Sequence, residues 1–290
     1  MVKNPQIFAP WWERHCDEFR ALLFDIDGTL ISGGHVLPGA VEIIARLRAE
    51  KFPFCLLTND GNHSTEEKSR HMRKGGLEIA PEEIVSCGDA LSLYVSGTGS
   101  EGQTFFVMGD LGNPDYAEKA GLMVTRDLKL IDLCAGVIVG EGIYDWQATI
   151  NGVLNHFIRH PNHPMLVPNP DSYWPNGLKG EIGIGAGGKA RFISGILDEM
   201  GLQIEPVYLG KPYEMIYRHT ISVLCTRFGL PHELPMREVL MLGDSLKSDI
   251  RGARRLDLRS GLLLTGISTL EQASQARGEC RPDFIFSSLL

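Results

Sequence analysis

The chain has 290 residues, long enough for two domains, with an ordinary globular composition of 43% hydrophobic and 22% charged residues. A formal net charge of −8 argues against a nucleic-acid or anionic-membrane binder, since either wants a basic face. It leaves room for a small phosphorylated substrate, which a few local cations or a metal ion can attract against the global field.

The N-terminal "MVKNPQIFAPWWERHCDEFR" has neither the apolar core of a secretory signal nor an Arg-rich, acid-poor bias, so no targeting peptide is expected. Its "WWERHCDEF" reads as a short helix that docks Trp11 or Trp12 onto the body, within an N-terminal extension of residues 1–20. No apolar run approaches membrane-spanning length. Six cysteines lie scattered without a C-x-x-C pair, several in apolar runs such as "FPFCLLTN". Buried, reduced thiols and a cytoplasmic location are the expectation.

From residue 21 the chain repeats one syntax, an apolar run cut off by polar residues and followed by a helical pattern. "ALLFDIDGT" precedes "LPGAVEIIARLRAEK", with apolar residues at helical spacing and Pro38 near the start. "FPFCLLTND" precedes "STEEKSRHMRKGG", which opens with Ser64 and Glu67 spaced as a capping box. Between about residues 95 and 205 the pattern changes. "QTFFVMG", "AGVIVG" and "PMLVPNP" read as strands, but helices are fewer and loops richer in Gly, Pro and Asn. The first syntax then resumes: "PVYLGKP" leads into "YEMIYRHTISVLCTRFG", "EVLMLGDS" into "KSDIRGARRLD", and "SGLLLTG" follows. The expected fold is a Rossmann-like α/β core with a parallel sheet (residues 1–94 and 206–290), interrupted by an inserted α/β domain over 95–205.

Ligands bind at the carboxyl ends of the strands in such sheets. Four runs end in "DID", "TN", "GK" and "GDS", so carboxylates, a hydroxyl, an amide and a lysine are expected to gather at one edge. Asp25 and Asp27 stand two apart, with Gly28 permitting a tight turn. One carboxylate can attack phosphorus and a second can protonate the leaving oxygen, although an isolated Asp-Gly is more often just a turn. Thr58 and Asn59 offer a hydroxyl and an amide to phosphate oxygens without adding negative charge. Lys211, at a helix start, can neutralise an anion or lie solvated in a turn. Asp244 can ligate magnesium as a hard oxygen donor, cap a helix, or both.

In order and spacing, D-x-D-G-T, T-N, K-P and G-D-S-x-x-x-x-D resemble the four motifs of the haloacid dehalogenase-like superfamily, over residues of about 20–94 and 206–275. The resemblance implies that Asp25 is a nucleophile forming an aspartyl-phosphate and Asp27 a general acid/base. Thr58 would hold the phosphoryl group and Lys211 neutralise its charge. Magnesium would be held by the Asp25 and Asp244 carboxylates and the Asp27 carbonyl, with Ser245 and Asp249 supporting them from behind.

Too few residues separate Asp25 from Thr58 for a cap domain. An insertion after Thr58, with "LPGA", "NPD" and "GKP", is similar to subclass IIA, which includes p-nitrophenyl phosphatase-like and pyridoxal-phosphate phosphatase-like enzymes. The implied function is a magnesium-dependent phosphatase acting on a small phosphorylated metabolite. A non-catalytic phosphate-ester-binding protein of the same fold and a phosphomutase remain alternatives. Relatives often dimerise through their caps, so a homodimer stays open. One departure stands out: relatives often read T-N-N-S where this chain reads "TNDG". Asp60 therefore either adds negative charge beside the phosphate or turns away to cap the helix at Ser64.

"GIGAGGKA" at 183–190 comes within one letter of the nucleotide-binding pattern GxxxxGK[ST] and contains GxGxxG. Position 190 is Ala, "YWPNGLKGE" before it makes a poor buried strand, and the core already supplies a phosphate site. The loop is expected to be a decoy for ATP. Its Lys189, with Asp171 of "NPDSYW", either contacts the substrate beyond the phosphate or lies in solvent while Gly187 and Gly188 permit tight entry into the helix.

Overall fold

The computed structural model describes residues 4–175, 181–231 and 234–290. The chain forms two compact units: one of residues 1–58, 68–85 and 211–290, the other of residues 59–67 and 86–210.

The first unit carries a seven-stranded sheet in the order Gln6–Ile7, Phe284–Ser288, Arg259–Leu263, Val239–Gly243, Ala21–Phe24, Phe54–Thr58, Ile84–Ser86. The strands Ala21–Phe24 and Val239–Gly243 are buried at every residue, as expected for a parallel sheet covered on both faces. Phe24 lies opposite Leu242 on one side and Leu56 on the other, both in parallel register. Asp25, Gly243 and Leu57 therefore leave the sheet at one level, and their successors Asp244 and Thr58 line its carboxyl edge.

The N-terminal extension is more than a docked helix. Gln6–Ile7 adds an edge strand against Phe284–Ser288, and the helix Phe8–His15 buries Phe8, Trp11 and Trp12 together. Trp11 packs at steep ring angles against Phe284 and Phe286, with ring centroids 4.6 and 5.1 Å away. The expectation of one docked tryptophan is corrected: both are fully incorporated in the core of this unit.

The second unit has its own five-stranded parallel sheet, in the order Val207–Tyr208, Met165–Val167, Gly136–Val139, Thr104–Met108, Met123–Thr125. The helices Trp146–Arg159 and Ala186–Glu199 contribute Val153, Phe157, Ile193 and Leu197 to a separate core. The expected strands at 103–109, 135–140 and 164–170 are all present. "PVYL" is also a strand, but it pairs with Met165–Val167 and so belongs to this sheet, not to the core sheet expected for it. The expected cuts at 94/95 and 205/206 fall inside the helix Ala90–Thr98 and ahead of Val207–Tyr208, both within the second unit, whose limits lie further out on each side.

All six cysteines are free thiols, and Cys55, Cys87, Cys134 and Cys225 are buried. Among the described residues no helix is long and apolar enough to cross a membrane.

Candidate active site

At the edge of the seven-stranded sheet, four of the expected residues come together. The Asp25 N–H still donates to the Leu242 carbonyl at 2.8 Å, so the strand's own ladder fixes where the side chain leaves the sheet. Lys211 Nζ, 2% exposed, donates to Asp25 Oδ1 at 2.6 Å, Asp249 Oδ1 at 2.7 Å and the Leu57 carbonyl at 3.0 Å. Three protons meet three oxygens, which leaves the ammonium no freedom to rotate. The helix after it begins only at Glu214, so carboxylates hold this lysine and no helix N-terminus is involved.

Asp249 is completely buried in the single wide turn Leu246–Ile250, and its Oδ2 accepts from the Ser245 N–H at 3.0 Å. Ser245 Oγ accepts from the Ser248 N–H at 3.2 Å and closes that turn. A Cβ at Gly243 would lie 2.2 Å from Asp249 Cγ, so only glycine fits there. Asp244 Oδ2 accepts from the Ile267 N–H at 2.6 Å, close against Gly266 and Gly28. Gly28 has φ +79°, and a Cβ there would also strike the Asp244 carboxylate, at 2.3 Å from Oδ2. Its N–H donates to the Ile31 carbonyl at 2.7 Å, so Gly28 shapes the turn and offers no free donor to a phosphate. Asp27 sits exposed in the same turn, and Thr58 is buried at the end of its strand.

The electrostatics follow from crowding. Burial raises the Asp25 carboxyl well above its usual range; Lys211 pulls it down, and Asp249 and Asp244 push it further up. Burial, then Asp249, raises Asp244 to about 7. Burial pulls Lys211 down, but Asp249 and Asp25 outweigh it and hold the ammonium charged. Asp25, Asp244 and Asp249 present oxygens that all lie within 4.8 Å of one another. Three carboxylates against one ammonium leave a local negative excess, offered by hard oxygen donors only. That donor set fits a magnesium-class dication, which takes few carboxylates and keeps waters.

The other expected residues lie in the second unit and are engaged differently. Asn59 Nδ2 donates to Asp171 Oδ2 at 2.9 Å, so the amide and carboxylate expected to meet substrate bind each other. Asp60 Oδ1 accepts from the Asn62 and His63 N–H groups at 2.8 and 3.2 Å, and its Oδ2 pairs with His63 Nδ1 at 3.0 Å. It caps its own loop, not the helix at Ser64; that helix closes through a reciprocal Ser64–Glu67 box.

The expectation that Lys189 lies in solvent is corrected. This lysine is 2% exposed, its Nζ donates to the Gly140 carbonyl at 2.9 Å, and it lies 5.0 and 5.1 Å from the Tyr144 and Trp146 ring centres. The glycines of the loop serve close packing. A Cβ at Gly185, Gly187 or Gly188 would come within 2.0–2.4 Å of the Asp171, Pro170 or Ser172 carbonyl oxygens. The helix's anion position is filled from within the protein: half-buried Glu141 accepts from the Ala186 N–H at 3.2 Å and from Asn169 Nδ2 at 2.6 Å. The preceding Tyr173–Pro175 strand pairs only with Ile182–Ile184 in a two-stranded hairpin; residues 176–180 of that stretch lie outside the described residues. Among the described residues no cradle for a nucleotide phosphate is left there.

The residues that sequence reasoning missed are mostly backbone: the Leu57 carbonyl, the Ile267 N–H, and Gly243 and Gly266 where side chains would collide. Tyr217 joins them, its hydroxyl donating to the Ser248 and Asp249 carbonyls at 3.2 and 3.1 Å. Only the glycine before Asp244 left a visible trace, as the first letter of "GDS".

Comparison with known proteins agrees with this arrangement. A model of haloacid dehalogenase-like hydrolases matches residues 22–123, and a HAD-hydrolase-like model matches 208–290, together more than half of the chain. An acid sugar phosphatase of Staphylococcus saprophyticus is 24% identical over 274 residues, spanning 93% of this chain and 95% of the relative. A glycerol phosphate phosphatase from Mycobacterium tuberculosis, solved with calcium, superimposes with a TM-score of 0.77 at 22% identity, over 94% of this chain and 74% of that one. A p-nitrophenyl phosphatase from Archaeoglobus fulgidus does so with a TM-score of 0.75 at 24% identity, over 93% and 97%. With the motif residues gathered at one sheet edge and both halves of the core matched, the chain belongs to the haloacid dehalogenase-like hydrolases.

Proposed function

We propose that this protein is a magnesium-dependent phosphatase that hydrolyses a small phosphorylated metabolite, of the sugar-phosphate or glycerol-phosphate kind, through an aspartyl-phosphate. The observation that carries this reading is the Asp25–Lys211–Asp249 chain beside Asp244: three carboxylates, one immobilised ammonium and a donor set suited to a hard dication. The similarity to acid sugar and glycerol phosphate phosphatases supports the substrate class. The second unit is taken as the inserted cap.

In this reading Lys211 holds Asp25 Oδ1, and Oδ2 attacks phosphorus as the ester P–O bond breaks. Asp27, exposed in the adjoining turn, gives its proton to the departing alcohol oxygen. It then takes a proton from the water that attacks the phosphoaspartate, freeing inorganic phosphate and restoring the Asp25 carboxylate. Thr58 orients the phosphoryl oxygens, and Lys211 balances charge developing on them. Asp249 positions Lys211 and touches no substrate. A magnesium ion held by Asp25, Asp244 and the Asp27 carbonyl would supply charge neutralisation at the phosphoryl group. A complete set of these groups speaks against a purely binding role.

The test is phosphate release from a panel of sugar phosphates, glycerol phosphates and p-nitrophenyl phosphate, with magnesium and after exhaustive chelation. Metal-dependent turnover of at least one sugar or glycerol phosphate is expected. No turnover of any ester, or full turnover after chelation, would refute the proposal.

A further inference from the structure

The second unit contains a cluster that the phosphatase chemistry does not use. Asp132 lies in the tight-helical segment Leu128–Leu133, His156 on the helix Trp146–Arg159, His160 at that helix's C-cap and His163 in the turn beyond. The 3.6-residue repeat puts His156 and His160 on one face, next to the segment carrying Asp132. Asp132 Oδ1 is 3.8 Å from His156 Nδ1 and 4.0 Å from His160 Nε2. All three ligand atoms lie within 4.8 Å of one another.

His156 is completely buried, yet its Nδ1 has no hydrogen-bond partner and faces the Asp132 carboxylate. A buried polar atom left in this state is costly and calls for an explanation. Its other nitrogen, Nε2, meets His163 Nδ1 at 3.2 Å. Such a partner behind the ring holds its plane while Nδ1 faces Asp132. Burial, then His163 and His160, pushes His156 down to about 4, although Asp132 and the Ile131 backbone pull the other way.

We propose that Asp132, His156 and His160 form a binding site for a borderline transition-metal dication, zinc being the best fit, with His163 holding His156 from behind. Two imidazoles and one carboxylate suit zinc and exclude magnesium, which prefers oxygen donors alone. Ligand atoms around one tetrahedral zinc, bound at about 2.0–2.1 Å, stand roughly 3.3 Å apart. The observed 3.8 and 4.0 Å separations require closures of roughly 0.5 and 0.7 Å to reach that spacing, within reach of the partly exposed Asp132 and His160 side chains. Asp132 also accepts from Arg159 Nε and Nη2 at 3.0 and 2.7 Å, which keeps it ionised and oriented. The bound ion would clasp the 128–133 segment to the end of the helix.

The experiment is zinc titration by calorimetry of the full-length, chelator-stripped protein in excess magnesium, for the wild type, His160→Ala and Asp132→Asn. These two positions are partly exposed, which spares the fold, and unchanged turnover of p-nitrophenyl phosphate in magnesium verifies that each variant is intact. The wild type should bind one more equivalent of zinc than either variant, or bind it at least about tenfold more tightly. Zinc should also raise the Tm of the wild type more than that of the variants. Zinc binding that is identical in all three proteins, or absent from the wild type, would overturn the proposal.

Discussion

Two lysines of this chain are equally buried, each 2% exposed, and their surroundings move them in opposite directions. Lys211 lies between Asp25 and Asp249, which hold its ammonium charged against full burial. Lys189 has one carbonyl and two aromatic faces, and burial lowers it to about 8, with Glu141 and Asp110 restoring only part of the loss. In the sequence each lysine follows a glycine in a motif-like string, "LGKP" and "AGGKA". What separates them is partner chemistry. Carboxylates converging on an ammonium hold it charged beside a site that a dication can complete, whereas a carbonyl and ring faces make a packing contact.

The largest expected effect breaks the charged side of this contrast. Asp25→Asn removes the proposed nucleophile and should reduce turnover by about 10⁴-fold or more, with no phosphoenzyme trapped after a rapid quench. Asp27→Asn should be severe for alkyl phosphates and milder for p-nitrophenyl phosphate, whose leaving group needs a proton least. Equal losses for the two ester types would remove Asp27 from the acid role.

Metal removal sharpens the same side. Without a dication the folded state holds Asp244 protonated up to about 7, whereas the unfolded chain releases that proton near pH 4. The folded pKa is raised, so this contribution to stability is fully present below about pH 4 and is lost as pH climbs through about 7. The Tm of the chelated protein should therefore fall over that window, and the stabilisation by magnesium should grow with it. A gap in Tm independent of pH, measured by scanning calorimetry, would contradict the charge imbalance.

The packing side is tested by Lys189→Met, which keeps the apolar stem but orphans the Gly140 carbonyl. Stability should fall by about 1–3 kcal/mol in denaturant titrations, while magnesium-ATP binding stays undetectable for both proteins. The smallest effect belongs to Asp60→Asn. An amide oxygen still caps Asn62 and His63, so only the partly exposed pair with His63 is weakened, at less than about 1 kcal/mol. KM for phosphate esters should be unchanged.

The parallel core and its acidic edge were legible because each strand is a continuous apolar run ending abruptly in chemistry-bearing residues. Asp25, Asp244, Asp249 and Lys211 could be placed together without any knowledge of pairing order. Sheet membership was not legible for "PVYL": two strand-forming residues cannot indicate which of two parallel sheets they join, and Val207–Tyr208 joined the second. Lys211 reaches the core edge without a core strand of its own, through the loop after Gly210. The fate of Lys189 was hidden for a different reason. Its partners, Gly140, Tyr144 and Trp146, lie more than 40 positions earlier, and Glu141, which fills the helix's anion position, resembles any surface glutamate when read in isolation. The second tryptophan of "WW" was likewise ambiguous, because a docked helix that also flanks a new edge strand buries both faces.

The two lysines can be set against each other directly in steady-state hydrolysis of p-nitrophenyl phosphate at saturating magnesium by the wild type, Lys211→Met and Lys189→Met. The wild type should turn over, Lys211→Met should lose about 10²–10³-fold in kcat, and Lys189→Met should stay within about threefold of the wild type. An inactive wild type, or a Lys189→Met loss as deep as that of Lys211→Met, would contradict the assignment of catalysis to the carboxylate-bound lysine alone.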